Sequence, residues 1–353
     1  QTTDTVVIDD GFLSENELKV RDTTLEWRET QLISQQFRGE HEFSSLNDLH
    51  IDWHATLSQA TRDIPLTRYY RYVETDPGVY ALTSDNVHQI RYETLTDDTS
   101  DFALNLSYPV YDLFGTFTTF KLGLSSISKD RDSQTLRFNW LSPSNLDTSI
   151  LKDPNPDNIF TDENIGPNGF TLFNGTQPTD NYTAEQTLMS YYLMADMEVN
   201  DRFSLMAGAR VEDNEQRVTT FELANPSEAT VGEIIETDVL PAASLTWAFA
   251  EKMQLRVAAS ATVNRPDFKE LSSAPHIDPV TRDIIIGNPN LEQAEVTNID
   301  LRWEWYLTHF EGMSVSLFYK DFLNPIERTK LAGGGDTDVF SFVNADAATN
   351  RGI

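Results

Sequence analysis

Large apolar side chains recur at every second position along most of this chain. Leu49, Ile51, Trp53, Ala55 and Leu57 alternate with His50, Asp52, His54, Thr56 and Ser58. Phe102, Leu104, Leu106 and Tyr108 alternate with Ala103, Asn105 and Ser107. The same period carries Phe203, Leu205, Ala207, Ala209 and Val211, then Val239, Ala243, Leu245, Trp247 and Phe249. It continues through Met253, Leu255, Val257, Ala259, Ala261 and Val263. Ile299, Leu301, Trp303, Trp305 and Leu307 follow, and Met313, Val315, Leu317 and Tyr319 close the series. A period of two belongs to a strand with one oily face and one wet face. Helical i, i+3, i+4 spacing is nowhere sustained. The chain is expected to be all-β.

The connections sort into two classes. Ser44–Asp48, Pro109–Gly115, Asn200–Asp201, Ala250–Lys252 and Thr308–Gly312 are short. Thr61–Asn86, Lys129–Asn181, Asp213–Thr237, Arg265–Glu292 and Leu323–Phe340 are long. Short and long alternate without a break, which in an antiparallel up-and-down sheet places short turns on one rim and long loops on the other. Transmembrane β-barrels are built this way, with the long loops extracellular. Strands of about ten residues suffice to cross an apolar band of ~25 Å at a ~45° tilt. Aromatic residues gather near the short turns: Tyr108 and Phe114, Trp247 and Phe249, Trp305, Tyr306 and Phe310. Such clusters suit a membrane interface. A soluble β-sandwich alternates in the same way with its oily face turned inward, but its strands are shorter and its connections unsorted.

Composition narrows the partners. The 353 residues carry a formal charge of −30, which repels nucleic acid. There is no cysteine, and no stretch approaches the ~20 apolar residues of a membrane helix. No basic n-region or apolar leader opens the chain at Gln1. No Gly-x-Ser-x-Gly or Gly-rich phosphate loop is present, and Ala332–Asp336 reads as a loop tip, so no enzyme is expected. His50 and His54 share a strand face but sit ~13 Å apart at i, i+4, too far for one metal ion. His88, His276 and His309 stand alone and read as solvated or lumenal. No cofactor is expected. Weak Ca²⁺ binding is conceivable at the acidic stretches Glu212–Arg217 with Glu222, Glu228, Glu233 and Glu236, and at Asp153–Asn158; solubility is the plainer reason for their charge.

On the polar parity of their strands, Arg210, Glu212, Arg256, Arg302 and Glu304 are candidates for lining a solute passage. Cross-strand ion pairing is the competing role. Tyr69, Tyr70, Tyr72, Trp140, Phe170, Phe173 and Tyr182 fall in or at the edge of long connections and could stack on a sugar ring or catechol, or pack the loops together.

The final third resembles a TonB-dependent outer-membrane receptor. "VLPAASLTW" (Val239–Trp247), "LRVAASATVNRPDFKEL" (Leu255–Leu271) and "GNPNLEQAEVTNIDLRWEWY" (Gly287–Tyr306) carry the resemblance. "SVSLFYKDFLNPIE" (Ser314–Glu327) and "FVNADAATNRGI" (Phe342–Ile353) continue it. The spacing is also similar to the carbohydrate-type receptors. The resemblance implies a barrel in outer-membrane lipid of a Gram-negative bacterium, taking up a scarce solute such as a glycan or siderophore. It also implies energy supplied by the TonB–ExbB–ExbD complex through a plug and TonB box. Nothing before Thr23 resembles a plug, and no terminal aromatic strand follows "RGI". About 11 strands can be counted against the ~22 of plugged barrels. The chain is therefore expected to be roughly half of such a barrel, without plug or last strands. A passive channel or adhesin of the same architecture, or a soluble β-sheet binding protein, are the alternatives.

Overall fold

The computed structural model describes residues 1–13, 18–85, 87–113, 115–143, 146–221, 228–277, 283–308, 310–331 and 339–353. Phe114, Glu222, His309 and the Ala332–Asp336 tip lie outside them. Strands dominate. The chain opens with β1 (Thr2–Leu13), β2 (Leu18–Phe43), β3 (Leu49–Asp76) and β4 (Val79–Leu82). Next come β5 (Gln89–Leu113) and β6 (Thr116–Leu141), a loop holding the single-turn helix α1 (Pro156–Ile159), and β7 (Thr171–Asn174). β8 (Tyr182–Asn200), β9 (Phe203–Phe221), β10 (Ala229–Ala250) and β11 (Met253–Asn264) follow. Then come a second helical turn, α2 (Phe268–Leu271), and the two-residue strands β12 (His276–Ile277) and β13 (Ile284–Ile285). β14 (Ala294–Tyr306), β15 (Gly312–Leu323), β16 (Ile326–Lys330), β17 (Val339–Asn344) and β18 (Ala347–Gly352) complete the chain.

One antiparallel sheet runs in the order β1-β2-β3-β5-β6-β8-β9-β10-β11-β14-β15-β18, with β4 and β7 attached to β3 and β6. Neighbours in space are neighbours in sequence, as an up-and-down wall requires. The sheet is not closed: β1 and β18 are not paired with each other. β1 and β2 lie ahead of the first strand expected from the pattern; Val6, Ile8 and Phe12 supply the exposed oily side of β1. A small second sheet, β12-β13-β17-β16, stands apart at the loop end.

Two expected loops, Thr61–Asn86 and Asp213–Thr237, are largely strand, and a third, Lys129–Asn181, begins as one. β3 extends to Asp76, β6 to Leu141, and β9 and β10 leave only residues 222–228 between them. These extensions are charged on both faces, so composition disguises them as loop. Pairing reveals them: Asp97 faces Arg131 across β5 and β6, and the Arg131 Nε–H donates to Asp97 at 2.6 Å. At ~3.3 Å per residue, such strands are far longer than an apolar band of ~25 Å requires.

Two faces differ sharply. Leu205, Leu245, Val257, Leu301 and Leu317 form an unbroken cross-strand row on the outer face. No second protein layer covers that row among the described residues: Leu245 is 40% exposed, Val257 42% and Leu317 44%. Oil facing outward without a protein partner separates this sheet from a β-sandwich, where the same residues would be buried.

Above the band, the outer face acquires its own cover. A bulge between Ile64 and Thr67 shifts the parity of β3. Tyr70 and Tyr72 consequently join Leu82 and Trp140 on the outer side, where Leu151, Ile159 and Phe170 of the 142–170 connection pack on them. His88 is fully buried there, against the earlier expectation of a solvated or lumenal histidine. Its Nε2 lies 2.7 Å from the Thr83 carbonyl, and its Nδ1 accepts from the Arg71 backbone N–H. That arrangement needs the neutral ring. Burial lowers its pKa, with Arg71 adding to the effect while the Thr83 carbonyl, Asp85 and Asp22 oppose it.

Two measurements test these features. Leu301→Arg should cost ~2–4 kcal/mol of unfolding free energy in phospholipid bilayers, while Ser204→Arg on the inner face should cost ~1 kcal/mol or less; urea titration in vesicles reads both. A buried neutral histidine binds fewer protons folded than unfolded, so its stabilisation is present above ~6.5 and lost as the pH falls below it. Protection factors for hydrogen exchange across 146–170 should therefore fall on acidification, and no longer do so in His88→Asn.

Candidate functional site

The inner face is polar, and one connection folds onto it. After β11 the chain turns inward as a strap, residues 265–277, laid against β8, β9 and β10. Phe268, Leu271 and Ala274 of the strap bury against Tyr182, Ala184, Val218 and Ile234 of the wall. Asp267 caps α2 by accepting from the Lys269 backbone N–H at 2.9 Å, and the Glu270 carboxylate accepts in return from the Asp267 N–H at 2.8 Å. This reciprocal cap fixes a helical turn too short to persist alone.

Arg265 pins the strap to the wall. Its guanidinium donates to Glu212 at 2.8 Å and to Asp238 at 2.7 Å, and all three side chains are nearly buried. The Gln293 amide donates to the other Asp238 oxygen at 2.6 Å, and the Gln216 amide donates to the Pro266 carbonyl at 2.7 Å. Gly287 closes the far side. A Cβ there would sit 2.4 Å from the Lys269 and Ser272 carbonyl oxygens, so only glycine fits beneath α2. The Asn288 backbone N–H donates to the Glu270 carbonyl at 2.6 Å, and its side-chain amide donates to the Phe342 carbonyl at 3.0 Å. The Arg-Pro-x-Phe and Gly-Asn-Pro-Asn-Leu motifs are thus the two clasps of one strap. Sequence spacing gave no sign of that union, because the clasps meet only once β14 is laid beside β11.

The lumen candidates fall into two paired groups on this face. The Arg210 Nε–H donates to Glu212 at 2.7 Å, and its terminal nitrogen lies 3.3 Å from the Ser125 hydroxyl, so both residues belong to the Arg265 clasp. Arg302 lies 3.0 Å and Arg256 3.3 Å from Glu304, which also accepts from the Gln254 amide. Each acid is shared by two arginines, which spaces the guanidinium groups along the wall.

The aromatic candidates part company. Tyr70, Tyr72, Trp140 and Phe170 are buried in the outer cluster, away from the polar face; for Tyr70 and Tyr72 this is a consequence of the parity shift in β3. Tyr69 stays on the inner side and accepts from Arg71 at 3.0 Å. Phe173, cross-strand from Asn139 on the same side, is 57% exposed. Tyr182 is buried beneath the strap and lines a cavity of about 330 Å³ between strap and upper wall.

That cavity joins residues from β1, β2, β3, β5 and β6 with Lys269, Ser272 and His276 of the strap. Strands from the start of the sheet and a segment following its ninth strand border one space, so the sheet curls around its polar face. No group of three or more His, Asp or Glu among the described residues is arranged to hold a metal ion. In the Asp153–Asn158 stretch, Asp153 accepts from the Asn155 N–H and Asn155 caps α1.

Comparison with known proteins places this architecture. The family model described as "TonB dependent receptor-like, beta-barrel" matches residues 27–353. The chain belongs to that family. It is a family of outer-membrane receptors and transporters rather than of enzymes. No curated protein matches. Among solved structures, the chain is similar to the ferric-catecholate import receptor Fiu of E. coli K12, at 10% identity and TM-score 0.50. That match covers 99% of this chain and 57% of Fiu. The ferric enterobactin receptor PfeA of Pseudomonas aeruginosa follows at 12% identity and TM-score 0.46, covering 97% of this chain and 55% of that one. The alcaligin receptor FauA of Bordetella pertussis gives 14% identity and TM-score 0.44, over 97% and 50%. The chain spans about half the length of these receptors.

Removing the central clasp should be costly. Arg265→Ala strands two nearly buried carboxylates and should cost ~3–5 kcal/mol. Arg217→Ala, at a half-exposed pair with Glu233, should cost ~1 kcal/mol or less. Limited proteolysis within 265–277 distinguishes strap release from global unfolding.

Proposed function

We propose that this chain is part of the wall of a TonB-dependent transporter that takes up a scarce solute of the glycan or siderophore class across the outer membrane of a Gram-negative bacterium. The observation that carries this reading is the two-sided sheet: an uncovered oily outer row through Leu301, and an inner face of charge and hydrogen-bonding groups closed over by the strap. Lipid acyl chains are the natural partner of the first face, and a hydrated solute of the second. Long charged strand extensions suit the extracellular side, where capture begins, and Phe173 and Tyr69 offer ring faces near that mouth.

Transport needs no covalent step in the wall. The solute docks among inner-face donors, and energy from the TonB–ExbB–ExbD complex releases the passage. Family membership supports this dependence on TonB, while the ferric-catecholate import of the similar Fiu and the carbohydrate-type spacing point to different solutes.

Deleting the complete reading frame should abolish accumulation of the solute at limiting concentration. Dissipating the proton gradient should do the same in wild-type cells, measured with radiolabelled oligosaccharide and ⁵⁵Fe-siderophore. Accumulation that survives loss of the gradient would identify a passive channel instead.

A further inference from the structure

The cavity between strap and upper wall reverses the charge balance of the molecule. Acidic residues outnumber basic ones 56 to 26 along the chain, yet five basic side chains line this space: Arg28, Arg62, Arg91, Arg137 and Lys269. Only Glu26, Glu93 and Asp180 answer them there. Those acids do not saturate the donors. Asp180 is taken up by Arg137 and by the Gln177 backbone N–H at 2.7 Å. Glu26 accepts a single bond from Arg28 at 2.6 Å. Glu93 stands 3.9 Å from Arg62, an ion pair beyond hydrogen-bond reach.

Lys269 makes no ion pair among the described residues. It is brought into the cavity by α2 of the strap, and the wall beside it is cationic. Burial lowers its pKa, as do Arg62 and Arg131, while Asp267 and Glu93 act in the opposite sense. The Nε atoms of Arg28, Arg62 and Arg137 are buried without a hydrogen-bond partner. A volume of about 330 Å³ lies within the range of small-molecule sites, ~300–1,000 Å³.

We propose that this cavity binds a carboxylate-bearing solute, with Arg28, Arg62 and Lys269 as its charged anchors. The inference rests on the reading of the chain as a solute-uptake wall and names the chemistry of the solute. A carboxylate matches the planar fork of a guanidinium and supplies the acceptors that Arg62 and Lys269 lack. A neutral ligand would leave those charges unanswered in a space partly closed to water. Because Lys269 belongs to the strap, the ligand touches wall and strap together, and the Arg265 clasp holds both halves of the site in place.

A uronate oligosaccharide and a ferric hydroxycarboxylate chelate share this chemistry, and one experiment separates them. The full chain in detergent, verified as folded by heat-modifiable gel mobility, is titrated calorimetrically with trigalacturonate, ferric citrate and neutral maltotriose at low salt. At least one of the two acids should bind, and which one binds identifies the source. Lys269→Gln or Arg62→Gln should weaken that binding about tenfold or more, as removal of a charge-assisted contact does. Arg217→Gln, on the outer face, should leave it unchanged, and higher salt should weaken it. The assignment fails if maltotriose binds as well as the acids, if neither acid binds the folded protein, or if both cavity variants bind like wild type. Failure of the uptake reading has a different signature: a protein that does not insert into bilayers at all.

Discussion

Backbone hydrogen bonding is the constraint on which everything else here depends. An exposed amide is intolerable in an apolar medium, so a wall that carries oil on one side must satisfy its polar groups laterally, strand to strand. The sequence-adjacent order from β1 to β11 does this with few long excursions between neighbours. Once the ladder is fixed, side-chain parity assigns every residue to one of two environments. The Leu205–Leu245–Val257–Leu301–Leu317 row and the Arg210–Glu212 pair are products of the same register.

The inner face is organised by sharing. Glu212 serves Arg210 and Arg265, and Glu304 serves Arg256 and Arg302. Such sharing holds guanidinium groups apart from one another while keeping them on the polar face. The strap adds a second level of order, because its clasps draw on β9, β10, the turn before β14 and the β17 strand. Its anchors lie far apart in sequence, so it is expected to settle after the sheet has formed.

The band of the wall was legible in the sequence because an apolar outer face leaves a period-two trace. Leu49 to Leu57 and Ile299 to Tyr306 are strands where that trace is clear. The extensions were not legible, since Asp97, Asp98, Asp130 and Arg131 offer no contrast between faces. Paired in β5 and β6, they are ordinary ladder positions. Aromatics left two roles open for another reason. Tyr70 and Tyr72 have the composition of a binding surface, and only the irregularity near Leu66 decides that they look outward. The recurring motifs after Asn264 marked kinship, while their physical task of fastening the strap appeared only with the fold. Histidine 88 gave no local cue at all; burial came from Tyr70 and Phe160, which arrive from distant segments.

The irregularity in β3 has a consequence for how such walls diversify. Below it, odd-numbered residues of the strand look outward; above it, even-numbered ones do. Gain or loss of a single residue at that point would exchange the two sets over the whole upper strand, presenting Tyr70 and Tyr72 to the polar face and Tyr69 and Arg71 to the outside. A receptor could in this way acquire a new contact surface from side chains it already possesses, through an indel rather than through successive substitutions.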